Sequence, residues 1–360
     1  MSEHNPMQPR VAIVYLSYNS RPYLEQVFLS LERLDYPKDK IEIIVVDNAS
    51  PDGSAEELRK RQGIMFFPLS ENLGFAGGNN VGIEHALLEG VDYVYLLNND
   101  AKLHPGAIRE AVAMAESDAK IGSVQSLVRL WQDEDVLNAT GGMVHFLGFG
   151  YARDNGRRCQ HPVLSDDNTG CYEIAYASGA AVLYRASALR EVGVIEPFYF
   201  MYHDDLELGW RLRLAGYRNV LADRSIAYHH YEFRRSVKKL YWMERARLLV
   251  LFSHLKPATL LLLSPFLIAL ELALIAFAAK GGWLRDKLLV YWDLLQPKTL
   301  AHLRKKRRES ALLRKVSDRE IVRLWTGKIE HQETQGSFVT FVANPLLSAV
   351  WFVLRRIIVW

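Results

Sequence analysis

Residues 11–20 read VAIVYLSYNS and residues 41–50 read IEIIVVDNAS. Each stretch is an apolar run of strand length that ends in small polar residues, which are typical of a turn or a helix cap. Helical periodicity follows each of them, at residues 22–34 and at about 55–62. A strand, a polar loop and a helix, occurring twice in succession, predict an α/β fold with a mostly parallel sheet flanked by helices.

The same alternation continues along the chain and extends the predicted sheet. A short strand is expected at residues 64–68, a helix at about 78–89 and a strand at 93–97. Residues 123–181 combine glycines, aromatic residues and short apolar runs, which predicts mixed strands and long loops over the site. A helix at 206–215 and a strand at 219–222 are expected to close the globular part.

The composition is that of an ordinary globular protein, with 49% hydrophobic and 24% charged residues in a chain of 360. This length favours one large core with an appendage, or two domains. The net charge of +3 is too small to indicate a nucleic-acid partner. Cys159 and Cys171 lack the spacing of a zinc site, and residues 1–10 lack a secretory apolar core, so a cytosolic location is expected.

A nearly continuous apolar segment at residues 258–279 is long enough to span a bilayer as a helix. Ser264-Pro265 is expected to break that helix, and Glu271 would be a costly carboxylate at mid-membrane. Basic residues flank both ends: Arg234, Arg235, Lys238, Lys239, Arg245, Arg247 and Lys256 before it, and Lys280, Arg285 and Lys287 after it. The pattern predicts a broken hairpin or a pair of interfacial helices, with buried helices of an ordinary C-terminal domain as the alternative.

Polar clusters stand where the predicted strands end, which is where ligands bind in open α/β sheets. Asp47 follows the second strand, and its carboxylate is suited to accept the imide N–H of a uracil or thymine base. Asn98, Asn99 and Asp100 follow the strand at 93–97, and Asp100 is a candidate ligand for a divalent cation that bridges a diphosphate. A loop-capping aspartate and a β-turn are the structural alternatives.

Two further clusters lie beside predicted helix starts. Residues 72–82 contain four glycines, and a loop of this kind before a helix lets a phosphate approach the backbone. The loop lacks the GxGxxG order of a dinucleotide fold, and no GK[ST] follows it. Asp204 and Asp205 are adjacent carboxylates, whose repulsion can hold one of them ready to take a proton near neutral pH. Helix capping is the alternative for these two acids.

Three more residues are of types that suit a metal-bound diphosphate. The guanidinium of Arg211 is suited to a diphosphate, although a surface position would explain this residue equally well. His229 and His230 end the predicted globular part, and a neutral imidazole there would complete a metal site. A structural histidine is the alternative.

The order of these clusters resembles glycosyltransferase family 2, and within it the bacterial rhamnosyltransferase-like enzymes that build polysaccharide. The likeness covers about residues 11–255. It is carried by Ser17-Tyr18-Asn19, Val45-Val46-Asp47-Asn48-Ala49-Ser50, the stretch 72–82, Asn98-Asn99-Asp100, Ala177-Ser178-Gly179-Ala180, the stretch 200–211 and His229-His230. The resemblance implies a GT-A, Rossmann-like domain at 1–255 that binds a nucleotide sugar, followed by a helical membrane-associated region at 256–360.

The resemblance also implies roles for single residues. Asp205, paired with Asp204, would be the catalytic base, and the metal would be held by Asp100 with His229 or His230. The implied donor-binding residues are Ser17, Tyr18, Asn19, Asp47, Asn72, Gly74, Gly77, Gly78, Asn79, Asn99, Asp100 and Arg211, and the implied acceptor-binding residues are Ser178, Gly179 and Trp210. Two positions depart from the family pattern, because Asn98 replaces the first aspartate of the metal motif and Asp204 replaces a glutamate.

By resemblance, an inverting enzyme is expected that transfers a sugar, with dTDP-rhamnose as the favoured donor, to a lipid-linked saccharide in cell-surface polysaccharide synthesis. Mg²⁺ or Mn²⁺ is the expected cofactor. The expected location is the cytoplasmic face of the inner membrane, on anionic lipids, peripheral or hairpin-anchored. A nucleotidyltransferase is an alternative, although Arg21 is the only basic residue near the first turn. A non-catalytic, membrane-docked scaffold with a degenerate nucleotide-sugar fold is another.

Overall fold

The computed structural model describes residues 8–159, 171–231, 237–330, 337 and 339–360. Residues 1–7 of the N-terminal segment, together with Arg234 and Arg235 of the predicted basic flank, lie outside the described residues. The strands are β1 (Val11–Ser17), β2 (Ile41–Asp47), β3 (Met65–Pro68), β4 (Tyr93–Asn98), β5 (Ala101–Leu103), β6 (Ile121–Leu130), β7 (Leu137–Ala139), β8 (Gly142–His145), β9 (Gly150–Ala152), β10 (Cys171–Ile174), β11 (Ala181–Arg185), β12 (Arg218–His229) and β13 (Trp325–Thr326).

The helices alternate with these strands in the first half of the chain and dominate the last third. They are α1 (Leu24–Glu32), α2 (Ser54–Leu58), α3 (Gly74–Leu88), α4 (Ala107–Glu116), α5 (Ala186–Val192), α6 (Asp204–Leu214), α7 (Val237–His254), α8 (Pro257–Lys280), α9 (Leu284–Leu294), α10 (Pro297–Leu313), α11 (Asp318–Val322) and α12 (Asn344–Ile357).

One large sheet runs in the order β10-β12-β6-β11-β4-β1-β2-β3. β1 pairs in parallel with both β2 and β4, β2 pairs in parallel with β3, and β6 pairs in parallel with β12. β11 is antiparallel to both of its neighbours, β4 and β6. The predicted α/β class with a mostly parallel, Rossmann-like sheet is confirmed, and buried apolar side chains cover both faces of the sheet.

The predicted glycine-rich loop is part of a helix. α3 begins at Gly74, about one turn earlier than the sequence predicts, so Gly77, Gly78 and Gly82 lie inside it. A Cβ atom on Gly78 would lie 2.5 Å from Cδ1 of Leu16, and one on Gly82 would lie 2.5 Å from Cγ1 of Val14. The glycines therefore allow α3 to pack closely on β1, and this packing is why a run of glycines persists as a helix.

The predicted break at Ser264-Pro265 is also wrong, because α8 is continuous from Pro257 to Lys280. A proline inside a helix has no N–H to donate to the carbonyl four residues earlier. Here the hydroxyl of Ser264 donates to the carbonyl oxygen of Leu261 at 2.8 Å. The residue before the proline thus satisfies the carbonyl that the proline leaves free.

The C-terminal third shares a core with the residues before it. β13 pairs in parallel with β8, so that Trp325 stands opposite Val144. The Trp351 ring stacks on Phe146 with centroids 5.2 Å apart, and Trp325 meets Trp210 edge to face at 5.0 Å. Consequently the domain boundary predicted at residue 255 does not coincide with a break in the hydrophobic core.

Candidate active site

The first part of the site lies at the carboxyl ends of β1 and β2. Ser17 and Asp47 are register partners at the ends of these strands. The Asp47 carboxylate is buried and accepts hydrogen bonds from the Ser17 hydroxyl at 3.0 Å and from the Ser50 N–H at 3.1 Å. These bonds fix the carboxylate as an acceptor at the strand end, where the sequence predicts a base-binding group.

Two neighbouring loops meet beside Asp47. The Asn99 side chain donates to the carbonyl oxygen of Tyr18 at 2.7 Å, and the Asn19 N–H donates to the Ser50 hydroxyl at 3.3 Å. Asn19 has a φ of 54°, a left-handed conformation that asparagine tolerates. The structure therefore brings Ser17, Tyr18, Asn19, Asp47 and Asn99 to one edge of the sheet.

Asn48, for which the sequence predicts no role, fastens the start of α3 to this edge. Its Nδ2 donates to Asn72 Oδ1 and to the Gly74 carbonyl, both at 3.0 Å, and its Oδ1 accepts from the Leu73 N–H at 2.9 Å. Asn72 Oδ1 also accepts from the Gly74 N–H at 2.8 Å. In the sequence, the signal that points to Asn48 is its position directly after Asp47.

Two of the predicted donor-binding residues have packing roles instead. Gly78 lies against Leu16, as described above, and Asn79 is buried within α3. The Asn79 side chain donates to the carbonyl oxygen of Phe75 at 2.9 Å, one turn back along the helix. The physical reason is the earlier start of α3, which places both residues inside the helix rather than in a loop before it.

Asp100 and His229 form the second part of the site. His229 is the last residue of β12, and its Nε2 lies 3.1 Å from Asp100 Oδ1. Its Nδ1 donates to Asn138 Oδ1 at 2.9 Å, while the Asn138 amide nitrogen donates to Asn155 at 3.2 Å. With the Asn138 amide in this orientation, the Nε2 lone pair of a neutral His229 faces the Asp100 carboxylate.

The arrangement around His229 is that of a metal-ligating histidine whose other nitrogen is held by a hydrogen bond. His230 points elsewhere, because its ring packs on Tyr23 with centroids 5.2 Å apart. Only its backbone N–H contacts Asp100, at the carbonyl oxygen. Asp100 and His229 therefore fit a divalent cation, whereas the part of the chain that the structure describes holds no group of three or more His, Cys, Asp or Glu residues suited to one.

The acid pair stands at the end of an unusual backbone segment. Phe200, Tyr202 and His203 have φ values of 64°, 64° and 58°, and α6 begins at the next residue, Asp204. A left-handed conformation in three residues with side chains is costly and is maintained only where the surrounding structure requires it. The Phe200 carbonyl oxygen accepts from the Phe75 N–H at 2.9 Å, which ties this segment to the start of α3.

The two carboxylates differ in their surroundings. Asp205 accepts hydrogen bonds from the Leu206 N–H at 2.7 Å and from the Gly179 N–H at 3.3 Å, whereas Oδ2 of the buried Asp204 has no hydrogen-bond partner among the described residues. Burial raises the pKa of Asp204 to about 8, with a further rise from the neighbouring Asp205 charge. Burial also raises the pKa of Asp205, to about 6, against the lowering effect of the two N–H groups. Near neutral pH, Asp205 is the ionised member.

The segment 178–180 connects the acid pair with the cation side of the site. Gly179 contacts Asp205, and the Ala180 carbonyl oxygen accepts from the Asn98 N–H at 3.1 Å. The Ser178 N–H donates to the side chain of Gln125 at 2.8 Å, which anchors the segment on β6. Gly179 is required here because a Cβ atom would lie 2.7 Å from the Phe75 ring.

Arg211 and Trp210 do not have the predicted roles. The Arg211 guanidinium is buried and is fully used by Glu207 and by the carbonyl oxygens of Val192, Gly193 and Val194. No N–H group therefore remains for a diphosphate. Trp210 is buried against Trp325 and belongs to the core, so its indole is not available to bind the acceptor substrate.

Glu207 and Arg211 instead belong to a buried network that reaches the C-terminal helices. His254 Nε2 lies 3.1 Å from Glu207 Oε1, and His254 Nδ1 lies 2.7 Å from the hydroxyl of Ser310 on α10. The Arg211 charge lowers the pKa of Glu207 against the effect of burial. The spacing of four residues between Glu207 and Arg211 on one helix is the signal in the sequence for this pair, whereas nothing local points to His254.

A Rossmann-like sheet with a buried acid at one strand end, an Asp–His pair at the next and two acids of raised pKa beside them fits a glycosyltransferase with a GT-A-like fold that uses nucleotide sugars. The family model of glycosyl transferase family 2 matches residues 12–193. The chain belongs to this family. The resemblance seen in the sequence is confirmed, and the nucleotidyltransferase and scaffold alternatives are set aside.

Curated relatives agree with this assignment. The chain is 26% identical over 234 residues to an N-acetylglucosaminyl-diphospho-decaprenol L-rhamnosyltransferase of Mycobacterium tuberculosis, which covers 61% of this chain and 75% of the relative. It is also 26% identical over 211 residues to a poly-beta-1,6-N-acetyl-D-glucosamine synthase of Staphylococcus aureus, covering 58% of this chain and 47% of the synthase.

Solved structures share the fold at low sequence identity. GalNAc-T7 with UDP, GalNAc and Mn²⁺ is similar with a TM-score of 0.56 and 14% identity, over 70% of this chain and 49% of that one. The mannosyltransferase PcManGT of Pyrobaculum calidifontis, in complex with GDP-Man and Mn²⁺, is similar with a TM-score of 0.50 and 19% identity, over 85% and 87% of the two chains.

Proposed function

We propose that the protein is an inverting glycosyltransferase in which Asp205 is the catalytic base and Asp204 its neutral neighbour. The observation that carries this proposal is the contact of Asp205 with Gly179, whose neighbour Ala180 bonds Asn98 at the end of β4, two residues before Asp100. Asp205 thus lies at one end of the segment 178–180, and the cation ligand Asp100 lies near the other end. An acceptor hydroxyl bound at Asp205 and a donor diphosphate bound at the cation would therefore lie on adjoining surfaces. Oriented, ionised carboxylates of this kind are effective general bases.

In this proposal the reaction is a single displacement. Asp205 takes the proton of the acceptor hydroxyl, and the oxygen attacks the anomeric carbon of the donor from the side opposite the leaving nucleotide diphosphate. The bond from that carbon to the diphosphate oxygen breaks as the new glycosidic bond forms, so the anomeric configuration inverts. Asp204, with its raised pKa, keeps a proton and thereby avoids a second negative charge beside the base.

Donor binding is assigned to the edge formed by Ser17, Tyr18, Asn19, Asp47 and Asn99, with Asp47 on the nucleotide base. Asn72, Gly74 and Gly77, at the start of α3, are retained as donor-binding candidates. Asp100 and His229 would hold a divalent cation, Mg²⁺ or Mn²⁺, which would neutralise charge on the leaving diphosphate. Asn138 would keep the Nε2 atom of His229 directed towards that ion.

We assign rhamnose, from dTDP-rhamnose, as the donor sugar and a lipid-linked saccharide as the acceptor. The support is the likeness to the mycobacterial rhamnosyltransferase, whose name specifies a decaprenol-linked N-acetylglucosamine. Ser178 and Gly179 are the remaining acceptor-binding candidates beside Asp205. The product would be an intermediate of cell-surface polysaccharide synthesis.

The test is a thermal-shift panel with dTDP-rhamnose, UDP-GlcNAc and GDP-mannose, each with Mg²⁺, Mn²⁺ or EDTA. A ligand that binds the folded protein raises its melting temperature by mass action. We expect dTDP-rhamnose to give the largest shift, and EDTA to reduce it. A shift with UDP-GlcNAc alone would refute the assigned donor while leaving the enzyme class intact.

We propose further that the C-terminal helices hold the protein at the membrane, on its cytoplasmic face. Among the described residues, one helix, Pro257–Lys280, is long and apolar enough to cross a membrane. Trp292 on α9 is exposed, as interfacial anchoring requires, whereas Trp283 and Trp351 are buried within the protein. Flotation of the full-length protein with liposomes of increasing anionic content tests this association, and protein that stays in the soluble fraction at every composition would refute it.

A further inference from the structure

Helix α8 has two very different faces. Its 24 residues span about 36 Å, enough to cross the hydrocarbon core of a bilayer. Leu261, Ile268 and Leu272 fall on one side and are 75%, 61% and 63% exposed. Thr259 and Leu263, on the opposite side, are buried against the rest of the protein. The exposed stripe has no partner within the described residues that covers it.

The buried face is attached to the globular part at its beginning. The Thr259 hydroxyl donates to the Asp318 carboxylate at 2.6 Å and accepts from the Trp360 indole N–H at 2.8 Å. Asp318 also accepts from the Lys256 N–H at 2.9 Å, at the entry to the helix. The first turn of α8 is therefore held by polar groups from α11 and from the C-terminal residue.

The middle and the end of α8 are attached as well. Glu271 forms ion pairs with Arg247 of α7 and with Lys287 of α9, and it accepts from the Tyr291 hydroxyl at 2.5 Å. At the far end, the Trp283 N–H donates to the Ala278 carbonyl oxygen at 3.0 Å and closes the last turn of the helix. Polar contacts to neighbouring elements thus hold the first turn and the middle of α8.

We infer that α8 lies flat in the membrane surface and does not cross the bilayer. A crossing helix would carry Arg247, Lys287 and their partner Glu244 into the hydrocarbon, where each charge is strongly unfavourable. Lying flat, the same helix keeps these charges inside the protein and buries only its outer stripe. This inference rests on the proposed membrane association and specifies its geometry.

The neighbouring helices expose surfaces of the same kind. α9 exposes Leu288, Leu289 and Trp292, and α12 exposes Phe352, Val353 and Ile357. Exposed cations accompany these apolar side chains: Lys280, Arg285, Arg355 and Arg356. Apolar side chains with adjacent lysine and arginine match an anionic lipid surface, into which interfacial helices sink by about 5–10 Å.

The test places single cysteines in a Cys159→Ser, Cys171→Ser background of the full-length protein. Lys280→Cys lies at the far end of α8, and Leu88→Cys, 86% exposed on α3, is the matched control. The protein is bound to preformed liposomes that contain phosphatidylglycerol, and a membrane-impermeant maleimide is either added outside or trapped inside. We expect both cysteines to react only with the outside reagent. Reaction of Lys280→Cys with the trapped reagent would overturn the inference.

Depth is measured in a second experiment with a fluorophore on Ile268→Cys. Lipids brominated near the headgroup end of the acyl chain are expected to quench it several-fold more than lipids brominated near the bilayer centre. The reverse order would indicate a crossing helix and would contradict the inference. Failure of the parent protein to float with the liposomes would refute membrane association itself, a result that is distinguishable from labelling inside the vesicles.

Discussion

The two sides of the site are built in different ways. On the side proposed to bind the donor (the donor side), Asp47 ends a strand and Asp100 stands two residues after one, so both are placed by local structure. On the acid side, Asp205 depends on a left-handed backbone segment and on α6, which is bonded to α7 and through His254 to α10. The two acids of the donor side thus have local supports, whereas the acid side needs residues up to Ser310. Residues proposed to act in one reaction can therefore depend on very different numbers of structural elements for their positions.

The largest effect is expected on the acid side. Asp205→Asn should lower kcat by about 10²–10⁴-fold, because the amide cannot take the acceptor proton. Donor affinity, measured by titration calorimetry, should remain near that of the parent protein, since the substitution leaves the donor side intact. Asp204→Asn is the matched control and should lower kcat less. Collapse of donor affinity in Asp205→Asn with transfer retained would show that the two sides are not separate.

The next effect concerns stability. Arg211→Met leaves the buried Glu207 carboxylate without its guanidinium partner, and the loss of one partner from a buried ion pair typically costs about 3–5 kcal/mol in the free energy of unfolding. Denaturant unfolding measures this cost. Lys315→Met breaks an exposed pair with Glu191 and should cost at most about 1 kcal/mol. Unchanged stability together with weakened donor binding would indicate that Arg211 binds the donor after all.

A smaller effect is expected on the metal dependence of donor binding, and it distinguishes His229 from His230. Asn138→Ala should raise the Mn²⁺ concentration needed for half-maximal donor binding by about 10–100-fold, as expected when the hydrogen bond behind a ligand is lost. Asp100→Ala should abolish the increase in donor affinity that Mn²⁺ gives. His230→Ala, whose ring packs on Tyr23, should change the metal dependence less than Asn138→Ala. Equal affinity of the parent protein in EDTA and in Mn²⁺ would contradict the cation site.

The smallest effect is a pH dependence of stability. Asp204 and Asp205 have folded-state pKa values of about 8 and about 6, above the value of about 3.9 in an unfolded chain. Between these limits the two acids bind more protons in the folded protein than in the unfolded one, so their contribution to stability falls as pH rises from about 4 to about 8. Buried histidines such as His145 and His203, whose pKa burial lowers to about 4, oppose this trend at the acidic end of the range. The contribution of Asp204 is therefore measured as the difference between thermal melts of the parent protein and of Asp204→Asn, and this difference should move in favour of the variant as pH rises. A difference that stays constant over this range would place Asp204 in a more polar setting.

The donor side is largely predictable from sequence because strand ends are local features. Asp47 and Asp100 follow apolar runs, and parallel strands bring such ends together. The start of α3 is not predictable in the same way, since the glycines that suggest a loop are needed for contact with β1. Pro265 wrongly predicts a break in α8. The hydrogen bond to the Leu261 carbonyl oxygen comes from the Ser264 side chain rather than from the helix backbone.

Long-range partners explain the remaining differences. Arg211 carries the charge that a diphosphate requires, but its sequence neighbourhood does not reveal the carbonyl groups of Val192, Gly193 and Val194 that take it. Trp210 is similar, because the aromatic partner that buries it, Trp325, lies 115 residues further along by numbering. The positive φ values at Phe200 and His203 have no sequence signal, as neither residue is glycine or asparagine.

The pairing of β13 with β8 has a consequence for protein engineering. Chimeras that exchange C-terminal portions between relatives are an obvious route to altered membrane preference. A junction after residue 255 would present Trp210 and Phe146 with foreign partners in place of Trp325 and Trp351. A successful graft must therefore carry the aromatic residues of β13 and α12 together with the surface of β8 and α6 that receives them. In this chain, the C-terminal third cannot be treated as a detachable module.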